Sequence, residues 1–291
     1  MDNLIKALAL NDEVRVYIVK NTETVNEAIE KHNLWPSSAS VLGKVLTMGQ
    51  LMGSMLKGEE ALTIKLQGNG EVGKVVVDGN AKGEVRGFVD HPHVNFINNN
   101  GGLNDIYAVG NDGIIDVIKD LKMKDLFTSS VRLTGNIASD FTYYFSESEQ
   151  TLSLVTLGIT INTDNKCDVS GGLIIQLLPN ASEESISYIE SKYDILNNFS
   201  NLLIGHTITD ILNLIFDNKY TLLEEKNVSF FCPCSKDSFS RSLLTLGSKT
   251  LTEILNEDGK IDAECHYCGE KYHFDKTEIQ SLIDEAKAQG K

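Results

Sequence analysis

Apolar and polar positions along this chain change period several times, and each change marks an element. Residues 14–19, Val-Arg-Val-Tyr-Ile-Val, are β-branched and aromatic, which predicts a strand. Thr24-Val-Asn-Glu27 has the form of a capping box and predicts a short helix reaching about residue 32. Pro36, after Trp35, stands where a helix begins. Val41, Val45, Met48, Met52 and Leu56 then recur at helical spacing, with Gly58 as the expected terminator. Gly43, Gly49 and Gly53 within that helix predict close approach to another element, so its Met and Gly stripe reads as a packed core face rather than a binding groove. Over residues 62–66, 74–77 and 84–89 the period becomes strand-like, with turns at Gly68-Asn-Gly70 and Asp78-Gly-Asn-Ala81. Gly68-Asn-Gly70-Glu-Val-Gly73 has the spacing of a phosphate loop, but a strand rather than a helix follows it, so no nucleotide site is expected there.

Further on, the pattern predicts a loop at 98–102, strands near 113–118 and 130–133, a helix over 137–145, and two long strands at 151–162 and 169–178. His91-Pro-His93 reads as a solvated turn. Ser182 then opens a helical series through Ile186, Ile189, Tyr193, Leu196, Phe199, Leu202 and Leu203, continuing over 207–216. Its many Ser, Asn and Thr residues are mediocre helix formers, so these helices need something to dock on.

Charge narrows the partners. The formal net charge is −15, and residues 226–291 carry nine Lys/Arg against eleven Asp/Glu, so neither nucleic acid nor an anionic membrane is expected to bind. The apolar run at 7–10 is too short for a signal peptide and no run is long enough to span a bilayer, which predicts a cytoplasmic protein.

The cysteines add the chemistry. Four of the five form two tight pairs, Cys232-Pro-Cys234 and Cys265-His-Tyr-Cys268, separated by thirty residues. In a reducing compartment such pairs point to metal ligands or redox-active thiols rather than permanent disulfides. Two pairs supply the four thiolates of a closed tetrahedral zinc site, and Gly269 tolerates the positive φ of a metal knuckle. His266 and His273 are alternative ligands that four cysteines make unnecessary, and Cys167 is a bystander thiol. Zinc on four thiolates contributes on the order of 10–16 kcal/mol of apparent folding free energy. That exceeds the ~5–15 kcal/mol net stability of a typical domain, so a module of this size is expected to unfold without its ion.

Gly83-Glu-Val-Arg-Gly-Phe88, Ile137-Ala-Ser-Asp-Phe141 with Tyr144-Phe145 and Ser148-Glu-Gln150, and Gly171-Gly-Leu-Ile-Ile-Gln-Leu-Leu-Pro179 follow one another along the chain. Phe231-Cys-Pro-Cys-Ser235, Cys265-His-Tyr-Cys268 and Tyr272-His-Phe274 complete the series. In these segments and their order the chain resembles the redox-regulated holdase chaperones of the heat-shock protein 33 family. With the pattern above, the resemblance implies an α+β fold: a mixed, mainly antiparallel N-terminal domain over 1–179, a metastable helical linker over 180–226, and a small zinc-binding domain over 227–291. It further implies one zinc ion per chain in the reduced form, held by Cys232, Cys234, Cys265 and Cys268. Unfolding client proteins would be the partners, bound without ATP when the cysteines are oxidised, with dimerisation on activation and no enzymatic activity.

The family also implies that each cysteine pairs with its near neighbour on oxidation. Loops that short are worth only about 1.5–2 kcal/mol each by chain entropy, and neither ties 232–234 to 265–268. Oxidation then acts as an unfolding signal. The strain of a Cys-x-Cys disulfide also favours its reduction again. Two other readings stay open on spacing alone: a thiol–disulfide oxidoreductase using Cys265 and Cys268, and a structural zinc-ribbon interaction module.

Overall fold

Residues 1–98, 102–179 and 181–290 are described by a computed structural model, and the chain falls into two units, Met1–Phe231 and Cys232–Lys291. Of the loop expected at 98–102, residues 99–101 lie outside the described residues, as does Asn180, the first residue of the expected linker.

The first unit begins with a strand that the apolar pattern did not predict. Strand β1 (Asn3–Ala9) is rich in Leu and Ala, which are helix formers, and it is extended because it lies between two antiparallel neighbours. Strand β2 (Val14–Lys20) follows as expected. Helix α1 (Thr22–His32) starts ahead of the capping box expected at Thr24. Its free amides are taken instead by Asp2, which accepts from Glu23 N at 3.1 Å and from Thr24 N at 2.6 Å. Helix α2 (Pro36–Gly53) ends at Gly53 rather than Gly58, which lies beyond it at φ +55°.

Strands β3 (Ala61–Gly68), β4 (Lys74–Asn80) and β5 (Glu84–Val89) precede a short helix α3 (Asp105–Val109). Strands β6 (Gly113–Asp120) and β7 (Phe127–Leu133), helix α4 (Ile137–Glu147), and strands β8 (Ser153–Ile161) and β9 (Cys167–Leu177) continue the chain. The helical series is α5 (Glu183–Ser191), α6 (Tyr193–Asn197), α7 (Phe199–Leu203) and α8 (Ile208–Phe216). It does not run on to 226: β10 (Tyr220–Asn227) and the two-residue β11 (Ser229–Phe230) are strands.

Two sheets result, β10-β1-β2-β9-β8 and β11-β5-β4-β3-β6-β7. Apart from β11 on β5, the strand pairs are antiparallel. Helix α2 packs against β8 and β9 of the first and β4 and β5 of the second, which explains why nearly all of it is buried. Its glycines make this possible. A Cβ on Gly79 would stand 2.5 Å from Gly49 O, and one on Gly53 would stand 2.6 Å from Asn80 O.

The other face of the five-stranded sheet is apolar too, and the helical series covers it. Ile5, Ala7, Val14, Val16, Ile18, Leu173 and Ile175 form one cluster with Phe199, Leu203, Ile211, Leu212, Ile215 and Phe216. Helices α6 and α7 have five residues each, too few to be stable in water, so docking on this face is what orders them. Glu13, in the β1–β2 turn, fastens the start of the series by accepting from Ser182 N at 2.9 Å and Ser182 Oγ at 2.6 Å.

The second unit holds α9 (Lys236–Leu244), α10 (Gly247–Glu257), the ribbon β12 (Ile261–Glu264) and β13 (Lys271–Phe274), and α11 (Lys276–Ala288). Leu244, Leu251, Phe274, Ile279, Leu282, Ile283 and Ala286 form its small core. No helix among the described residues is long and apolar enough to cross a membrane.

Candidate metal centre

The two cysteine pairs lie on two different kinds of segment, an irregular stretch before a helix and a turn between two strands. Cys232-Pro-Cys234 leads into Ser235, which caps α9 by accepting from Ser238 N in a reciprocal capping box. Cys265 and Cys268 lie in the turn that joins β12 to β13. There Cys265 N donates to Glu270 O at 2.9 Å and Gly269 N donates to Cys265 O at 2.7 Å, while Gly269 takes φ +69°. That left-handed conformation is the one for which a glycine was expected. The ribbon's own pairing, Glu264 opposite Lys271, holds the turn closed.

Folding brings all four sulfurs to within 4.8 Å of one another. Two close approaches run between the pairs: Cys232 Sγ to Cys265 Sγ is 3.7 Å, and Cys234 Sγ to Cys268 Sγ is 3.4 Å. Four thiolates at zinc's ~2.3 Å bond length in a tetrahedron stand about 3.8 Å apart, so the observed cage fits that ion. Cys265 and Cys268 are buried, Cys232 and Cys234 half-buried. Burial pushes the Cys265 and Cys268 thiols up, so a bound cation is what would keep them as thiolates.

One participant was not legible as such. Tyr272 Oη lies 3.2 Å from Cys234 Sγ and donates to it, and this contact raises the tyrosine's own pKa. The Tyr272 ring stacks on Phe239 of α9 with centroids 4.8 Å apart, so one side chain links β13, α9 and the first cysteine pair. Its sequence signals were its place four residues after Cys268 and its part in Tyr272-His-Phe274, one of the segments that carry the resemblance, and neither pointed to a contact with Cys234.

Among the described residues, these cysteines are the one group of three or more potential metal ligands. His273 is not in it; its Nδ1 lies 2.6 Å from Asp262 Oδ1 across the β12–β13 ribbon. His266 is likewise outside the group. Cys167 belongs to β9 in the first unit, buried at 4% exposure.

An α+β body and a small module built on a four-cysteine cage are shared with relatives that are named chaperonins rather than enzymes. The family model described as Hsp33 protein matches residues 2–275. The 33 kDa chaperonin of Bacillus velezensis is 45% identical over 98% of this chain and 99% of its own length. That of Geobacillus kaustophilus is 44% identical, and that of Bacillus subtilis 42%, each over 98% of this chain and 99% of its own length. The crystal structure of the 33 kDa chaperonin from Thermotoga maritima superposes with a TM-score of 0.91 at 29% identity, covering 98% of this chain and 99% of that one. The chain belongs to the Hsp33 family.

Proposed function

We propose that this protein is an ATP-independent holdase switched by the redox state of Cys232, Cys234, Cys265 and Cys268. In the reduced protein these four cysteines hold one zinc ion, which supplies the cross-link between 232–234 and 265–268 and keeps the sulfurs as thiolates. The single observation that carries the reading is the cage itself: sulfurs from pairs thirty residues apart in sequence lie within 4.8 Å.

Oxidation by two equivalents of hydrogen peroxide would take four electrons from the four sulfurs and free the zinc ion. Two S–S bonds form, the peroxide O–O bonds break, and four water molecules leave as four protons are taken up from solvent. With near-neighbour pairing, Cys232 to Cys234 and Cys265 to Cys268, neither bond replaces the lost link between the halves. The module's core of seven buried apolar side chains is small for independent stability, so it is expected to open.

The docked series is the second moving part. Residues 180–226 act as a metastable linker whose short helices depend on the apolar face they cover. Opening of the C-terminal module releases this linker, and the aliphatic face of the five-stranded sheet then becomes available to unfolding proteins. The apolar cluster those helices cover suits binding of unfolding chains.

The test is light scattering from a thermally unfolding reporter enzyme. Reduced, zinc-loaded protein is expected to leave its aggregation unchanged, and peroxide-treated protein to suppress it at mild heat. Equal effects in both states would sink the reading.

A further inference from the structure

Strand β10 is the outermost strand of its sheet, and its own free edge is guarded. The register against β1 slips between Lys6, opposite Glu224, and Ala7, opposite Leu222, which leaves Leu223 as a bulge. Glu224, Glu225 and Lys226 follow it. A bulge and a run of charges are the means by which sheets block the addition of another strand.

The edge beneath β10 has neither. Strand β1 reads Asn-Leu-Ile-Lys-Ala-Leu-Ala, with Lys6 as its single charge and an unbroken register against β2. Ile5, Ala7 and Ala9 belong to the apolar cluster that the linker helices cover.

β10 is also lightly attached. Of its side chains only Tyr220 packs on that cluster, while Leu222 and Leu223 are 51% and 52% exposed. The backbone ladder to β1, the Lys6–Glu224 ion pair at 2.6 Å, Asn3 Nδ2 donating to Glu225 Oε1 at 3.0 Å and Lys226 Nζ donating to Ala81 O at 2.8 Å hold the rest. Because β10 follows α8 after Asp217, Asn218 and Lys219, a linker that lifts peels it from its Tyr220 end, while β11 on β5 keeps its other end in place.

We infer that β10 is a removable guard, and that the β1 edge beneath it docks an extended, uncharged, apolar segment of an unfolded polypeptide as an added antiparallel strand. This rests on the holdase reading and names the kind of partner its site takes. Main-chain hydrogen bonds to β1 are indifferent to sequence, as a chaperone with many clients requires. Alternate side chains of the incoming strand fall beside Ile5, Ala7 and Ala9, where β10 offers Glu225, Leu222 and Tyr220. An uncharged β-forming segment complements that row better than β10 does.

Hydrogen exchange read by mass spectrometry on the full chain tests this. The probe is a peptide of about ten residues alternating Val and Thr, alongside the same peptide N-methylated at every second residue to remove its strand-pairing amides. In oxidised protein the amides of residues 3–9 are expected to lose protection by about tenfold or more relative to the reduced form. The plain peptide restores it and the methylated one does not. If residues 182–216 stay protected after oxidation, the holdase reading fails and this site falls with it. If those helices release while residues 220–227 stay protected, the edge assignment alone is overturned. If β10 lifts but the plain peptide binds without protecting residues 3–9, or both peptides protect them equally, the edge assignment alone is overturned.

Discussion

Leu203 fills the space that Gly171 leaves open: a Cβ on Gly171 would stand 2.9 Å from Leu203 Cδ2. Gly171 of β9 is paired with Gly158 of β8, so two adjacent strands both lack a side chain where α7 settles. This is where the linker's docking is most sensitive to a single atom.

Two substitutions probe it from opposite sides. Leu203 is fully buried, and Leu203→Ala is expected to cost about 2–5 kcal/mol of docking. In Gly158→Ala the new Cβ would meet Ser200 N at 2.8 Å, an overpacking worth about 1–3 kcal/mol. Both variants should expose residues 182–216 to protease and suppress client aggregation while still reduced and zinc-loaded. Limited proteolysis with the light-scattering assay reads this; wild-type resistance in both would show that docking does not limit activation.

Acid should loosen the same segment. Hydrogen bonds from Ser182 and Ser185 hold the Glu13 carboxyl down to about 2, against an ordinary value near 4.5. A depressed carboxylate stabilises the folded state fully above its ordinary value and loses that contribution as pH falls toward the folded one. Linker protection should therefore fade between about pH 4.5 and 2 with a share assignable to Glu13. Glu13→Gln should lower protection of residues 182–191 at neutral pH and flatten that part of the acid profile. An unchanged profile in hydrogen exchange would remove Glu13 from the account.

At the metal centre, Tyr272→Phe keeps the ring on Phe239 and removes the hydroxyl from Cys234. Partners one step beyond a metal's ligands typically change its affinity by tenfold or more, so zinc should be held about tenfold less tightly. Cys268→Ser removes one of the four proposed ligands and should leave the module unfolded under reducing conditions. Competition with a chromogenic chelator measures the first, and far-ultraviolet circular dichroism the second.

Cys167 provides the internal control. Burial, with Asp168 close by, pushes its thiol up to about 12. At pH 8 the thiolate is then about one part in ten thousand. Iodoacetamide should leave Cys167 unlabelled in the native protein and label it after denaturation. Cys167→Ser should not alter zinc content. Ready labelling of the native form would contradict the burial described.

How much of this could be read from residues alone depended on where each signal resides. Period carried α2 and most strands, because their packing faces repeat locally along the chain. The cysteine pairs were legible because ligand spacing is itself local. Strands β1 and β10 were not, since Leu-Ile-Lys-Ala-Leu-Ala and Leu-Leu-Glu-Glu-Lys suit a helix as well, and pairing with other strands, β1 with β2 and β10 and β10 with β1, makes them strands. The start of α1 was misplaced for a similar reason: its cap, Asp2, lies twenty-two residues from Thr24. Tyr272 gained its role from a contact thirty-eight residues away, which no spacing rule describes.

The central claim is that loss of the four-thiolate site and gain of holdase activity are one event. The direct measurement is a peroxide titration of the reduced protein at mild heat, in which released zinc and suppression of client aggregation are read from the same samples. The account predicts one zinc per chain released and activity rising in proportion to it. Full activity with the metal still bound, or complete release of the metal without activity, would contradict it.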